Sequence, residues 1–178
     1  MAKFRADIIL LVTAIIWGFA FVAQRMGMDH VGPFTFNGVR FLLGGISLLP
    51  LYYFNRKKYP VSSDKKGFIW GGIIAGIALF LGASLQQIGL QFTTAGKAGF
   101  ITGLYVIFVP VLGLLNRQKT GVGIWIGAVI AIFGMYLLSV TDDFTIEKGD
   151  LLVLFSALFF AVHVLMIAYI SPKYNALA

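Results

Sequence analysis

The chain is 178 residues long, with 59% hydrophobic and 12% charged residues, a mean hydropathy of +0.90 and a formal net charge of +7. A soluble domain is about one-quarter charged, so this composition excludes an ordinary aqueous fold. The basic residues fall between apolar segments, which makes them topology signals and leaves nucleic acid as no expected partner. The absence of cysteine excludes disulfides and thiolate metal sites.

A bilayer-spanning helix needs about 20 apolar residues. Six segments qualify, at residues 7–23, 34–54, 67–90, 98–115, 122–140 and 150–170. Breakers separate them: Gly32-Pro33 before the second, Tyr59-Pro60 and the polar run to Asp64 before the third, and Ser171-Pro172 after the sixth. Lys and Arg alternate from side to side along this series. With the N-terminus inside, the inner segments hold Lys3, Arg5, Arg56, Lys57, Lys58, Lys65, Lys66, Arg117, Lys119 and Lys173, against Arg25, Lys97 and Lys148 outside. That bias predicts a multi-pass protein of the plasma (inner) membrane with a cytoplasmic N-terminus. Small-xxx-small pairs (Gly67/Gly71, Gly72/Gly76, Gly99/Gly103, Gly123/Gly127) predict close helix contacts.

The sixth span echoes the first. Asp7, Thr13-Ala14 and Trp17-Gly18 align without gaps to Asp150, Ser156-Ala157 and Phe160-Ala161, 143 residues on. Five spans separate the copies, so the second enters from the opposite face, which is the inverted-repeat pattern of many secondary transporters. The expected organisation is a first five-helix repeat over residues 1–141, then an outer loop and the first helix of a second repeat over 142–178. On that reading the chain is a piece of a ten-helix (5+5) protein.

Candidate solute-binding residues lie on helical stripes. Trp17, Phe21 and Gln24 share one face of span one, and Asn37 and Arg40 share one of span two with Gly44 and Ser47. Arg40 is a cation in an apolar helix, an expensive placement that marks a cavity or a structural pair such as Asp29. Gln87 continues the Gly76-Phe80-Ala83 face of span three; Thr102 and Tyr105 are hydrogen-bonding groups in span four, where Pro110 predicts a kink. His163, on a face with Ser156 and Phe160, could carry a coupling proton. Asp7 and Asp150 are placed at helix starts. No acid lies deep in a span, His30 and His163 lack metal-ligand spacing, and no Walker glycine loop or nucleophile elbow appears. No metal, cofactor or catalytic residue is therefore expected.

Four segments, taken in order, resemble the drug/metabolite transporter superfamily and its EamA-type branch. They are Ala14-Ile-Ile-Trp17-Gly18-Phe-Ala-Phe-Val, Phe36-Asn-Gly-Val-Arg40-Phe-Leu-Leu, the run from Gly96 to Pro110, and Gly127 with Gly134, Leu137 and Leu138. The resemblance implies an all-α polytopic membrane protein of ten helices in two inverted repeats. It implies export or exchange of small organic metabolites or drugs by alternating access, through a cavity that both halves line. The alternatives are a half-transporter or membrane binding module completed by a partner chain, and a membrane-embedded enzyme, for which no acid–base cluster is visible.

Overall fold

The structure, a computed structural model, describes residues 2–55, 65–115, 121–139 and 147–172. Among these every regular element is an α-helix: α1 (Ala2–Gly27), α2 (Pro33–Asn55), α3 (Lys65–Gly89), α4 (Ala95–Gly103), α5 (Tyr105–Leu115), α6 (Val122–Ser139) and α7 (Lys148–Ile170). Five stretches are long and apolar enough to cross a bilayer, at Ala6–Gly27, Pro33–Phe54, Lys66–Gly89, Ala95–Leu114 and Lys148–Ile170; α6 adds the shorter apolar stretch Val122–Gly134. Helices are what such segments must form, because hydrocarbon offers a backbone N–H no other partner. Their hydroxyls are absorbed in the same way: Thr13 Oγ1 donates to the Ile9 carbonyl at 2.8 Å and Ser47 Oγ to that of Gly44 at 2.7 Å. The charge-bearing connections used to orient the chain, at 56–64, 116–120 and 140–146, and Lys173, lie outside the described residues.

Span four is one membrane crossing made of two helices. Sequence places its disturbance at Pro110; the structure breaks it at Leu104, and Pro110 sits buried inside α5. Gly103, of low helix propensity, stands beside the break, while the turn that Pro110 crowds, back to Val106, lies within α5. The tightening shows in two three-residue hydrogen bonds, Leu104 N to the Ile101 carbonyl at 3.1 Å and Ile107 N to that of Leu104 at 2.8 Å. At its other end, Thr94 caps α4 by accepting from Lys97 N at 3.2 Å.

The core forms where α7 lies along α3 and meets α4 and α5. Leu90, Ala98, Ile101, Leu104 and Val153 are its buried centre, with Phe21, Met28, Ile107, Phe108 and Leu154 packed around it. By contrast α1, α2 and α6 present most of their apolar side chains outward, as helices facing acyl chains do.

Helices α3 and α7 come backbone to backbone at Gly89 and Gly149. A methyl built on Gly149 would stand 2.5 Å from the Gly89 carbonyl oxygen and 2.6 Å from the Phe92 carbonyl carbon. Next to it Asp150 accepts from Glu147 N at 3.1 Å, capping α7, and from the hydroxyl of buried Thr93, which ties that cap to the α3–α4 turn. Asp7 is different: α1 begins at Ala2, so Asp7 is exposed within the helix, not at its start. The expected small-xxx-small contacts are also largely displaced. Gly71 approaches Ile170 and Gly99 approaches Phe21, but Gly72, Gly76, Gly103, Gly123 and Gly127 have nothing within 4 Å of an added methyl.

Candidate functional site

Between the helices is a cavity of about 290 Å³, close to the lower end of small-molecule sites at about 300 Å³. From α1 it takes Trp17, Ala20, Phe21 and Gln24, and from α2 Arg40 and Phe41. From α3 come Leu79, Ala83 and Gln86; Thr102 and Tyr105 flank the break in span four; Phe160, His163 and Val164 come from α7. Trp17, Phe41 and Val164 are its exposed lining residues and mark its open side.

Seven of the nine residues singled out in the sequence line this one cavity: Trp17, Phe21, Gln24, Arg40, Thr102, Tyr105 and His163. Asn37 and Gln87 do not. Asn37 is buried between helices, its Nδ2 donating to the Ala83 carbonyl at 3.0 Å. Gln87 is fully buried and its Nε2 donates to the Gln24 carbonyl at 3.4 Å. The neighbouring Gln86 is the one on the wall, where Nε2 donates to Thr102 Oγ1 at 2.9 Å. The difference is one of helical phase. At ~100° per residue, Leu79, Ala83 and Gln86 fall within about 60° of one another, whereas Gln87 lies about 80° from Leu79. Replacing Asn37 by leucine should therefore lower thermal stability by about 1–3 kcal/mol while leaving solute affinity near wild type. Gln86→Leu loses the buried bond to Thr102 and should lower stability by a similar amount, but should weaken solute binding as well; melting and binding titrations on the two purified variants check both.

Arg40 does not pair with Asp29, which instead meets Arg25 at 3.9 Å on the exposed surface. Among the described residues no carboxylate pairs with Arg40. Its guanidinium carbon lies 4.9 Å from the Phe41 ring centroid and 6.0 Å from that of Phe36, a cation–π setting that steadies the group without neutralising it. Phe41 was not singled out in the sequence; an aromatic residue adjacent to an in-membrane cation was the available signal. The α2 stripe turns away beyond Arg40, where Gly44 and Ser47 are exposed.

The remaining polar atoms are mostly acceptors. Gln24 Nε2 donates back to the Ala20 carbonyl at 3.1 Å, and buried Gln24 Oε1 has no partner, nor do Asn37 Oδ1, Ser84 Oγ and Gln87 Oε1. Buried polar atoms ordinarily find partners; these four, enclosed among the described residues, are unsatisfied in the packing between helices. His163 Nδ1 lies 2.9 Å from the Ala75 carbonyl oxygen. Ser156, on the same α7 face, is buried below the cavity and donates to the Val153 carbonyl at 2.6 Å. No cluster of metal-ligating side chains occurs among the described residues.

A helical multi-pass membrane protein holding an unneutralised cation in an aromatic cavity is the class these features define. Residues 4–140 match the EamA-like transporter family, and the chain belongs to it. It is 37% identical over 175 residues to an uncharacterized transporter of Archaeoglobus fulgidus, covering 96% of this chain and 51% of that protein. It is 26% identical to the uncharacterized transporter YoaV of Bacillus subtilis, over 84% of this chain and 52% of that one. The S-adenosylmethionine/S-adenosylhomocysteine transporter of Chlamydia muridarum is 27% identical over 70% of this chain and 40% of its own length. The chain thus spans about half the length of the curated relatives it matches. No solved structure matches it.

Proposed function

We propose that this chain supplies the first repeat, residues 1–141, and the opening helix of the second, within 142–178, of a ten-helix inverted-repeat transporter. It works by alternating access in the plasma membrane with its N-terminus cytoplasmic, and exports or exchanges small organic solutes that carry an anionic group beside an aromatic or apolar body. The observation that carries this reading is Arg40, a cation with no carboxylate partner among the described residues, on a wall built from Trp17, Phe21, Phe41, Tyr105 and Phe160. The match over residues 4–140 supports treating that segment as one unit. The open side at Trp17, Phe41 and Val164 is where a second repeat would complete the wall. S-adenosylmethionine, named for the Chlamydia relative, itself joins a carboxylate to an aromatic base.

The test is flux in proteoliposomes, comparing the 178-residue chain with a version extended through a second repeat. Labelled aromatic carboxylates, their uncharged amides and quaternary ammonium dyes are offered in turn. Carboxylate flux from the extended protein alone is the expected result. Flux of dyes in preference to carboxylates would refute the solute class, and equal flux from the 178-residue chain would favour an assembled half-transporter.

A further inference from the structure

We propose that His163 is a proton-binding site coupled to the anion site at Arg40, so that solute and proton occupy the cavity together. The proposal rests on the reading of the cavity as a solute site. It begins with hydrogen-bond chemistry. A backbone carbonyl can only accept, so the 2.9 Å contact with Ala75 requires that Nδ1 of His163 carry the hydrogen. In neutral imidazole the other nitrogen is then bare. His163 lines the cavity, so Nε2 is the ring nitrogen left for it, as a lone pair able to take a proton.

The surroundings set the coupling. Ionisable groups on the wall facing His163 are Arg40 from α2 and Tyr105 from α5; the residues lining from α1, α3 and α4 carry none, and α7 adds no other. Among the described residues no Asp or Glu lines the cavity. A proton arriving from water on Nε2 makes an imidazolium in a space that already holds the Arg40 cation, and two uncompensated charges in a low-dielectric cavity repel. A bound carboxylate removes that opposition. By thermodynamic reciprocity, whatever the anion adds to proton binding the proton adds to anion binding. No bond of the solute changes; the proton is taken from the aqueous phase on binding and returned to it on release.

The experiment uses the 178-residue chain in lipid nanodiscs, carrying His30→Gln so that a single labelled histidine remains, with phenylacetate as probe and phenylacetamide as its uncharged control. Imidazole nitrogen and carbon chemical shifts should report the tautomer protonated at Nδ1. Phenylacetate binding, read from tryptophan fluorescence, should weaken as the pH rises, by up to about tenfold per pH unit for one linked proton. Phenylacetamide binding should be flat. His163→Asn keeps an amide donor within reach of Ala75 and removes the titrating nitrogen, and in it phenylacetate affinity should lose this pH dependence. A tautomer protonated at Nε2, or a slope that survives in His163→Asn, would overturn the proposal. Phenylacetate that fails to bind at any pH, in the 178-residue chain and in the version extended through a second repeat, would reject the anion site beneath it, and binding with a flat pH profile in the wild type would reject the coupling alone.

Discussion

Gly149→Ala should unfold more readily than the wild type by about 3 kcal/mol. The added methyl would meet backbone, at 2.5 Å from the Gly89 carbonyl oxygen and 2.6 to 2.7 Å from the Phe92 carbonyl. A rotamer change cannot relieve such a clash, so α3 and α7 must separate, and forced overpacking of this kind costs about 1–3 kcal/mol or more. Separation would also strain the Thr93–Asp150 hydrogen bond at the same corner. The control is Gly127→Ala on α6, where nothing lies within 4 Å and the change should be neutral or slightly stabilising. Circular dichroism on heating in detergent measures both; equal melting of the two variants would contradict the close approach.

The second large effect is expected at Arg40. If it holds the anionic end of the solute, Arg40→Gln should weaken binding of an aromatic carboxylate on the order of 100-fold, the weight of a lost charge-assisted contact at about 3 kcal/mol. Arg40→Lys keeps the charge without the planar fork and should fall between. The uncharged amide should bind all three proteins alike. The melting temperature of each variant is measured alongside, because Arg40 also packs against Phe41 and Phe36. A purely structural arginine would shift melting and leave the carboxylate-to-amide preference intact.

Much of this was legible in the chain because hydrophobic length is a local property. The six apolar segments and their order follow from counting, and helical spacing alone grouped Trp17, Phe21 and Gln24 on one face. What could not be read locally was rotational phase. Gln86 and Gln87 are adjacent, and only the position of Thr102 on another helix decides which of them meets the cavity. Asn37 is a similar case, since a buried amide serves a wall or a neighbouring backbone equally well until the Ala83 carbonyl is in place. The Gly89–Gly149 contact joins segments 60 residues apart, beyond the reach of any small-xxx-small spacing. The break falls at Leu104, beside Gly103, and not in the turn that Pro110 crowds.

The backbone contact at Gly89 and Gly149 divides the cavity wall mechanically. With carbonyls packed against glycine at one end and His163 joined to Ala75 further along, α3 and α7 behave as a single strut carrying Gln86, Phe160 and His163. Facing them, Trp17, Phe21, Arg40 and Phe41 ride on α1 and α2, helices that bury little of themselves and are fastened to α3 by the Gln87–Gln24 and Asn37–Ala83 hydrogen bonds. One side of the wall is thus held by backbone packed on backbone, and the side that carries the guanidinium by buried amides reaching carbonyls across the helix gap.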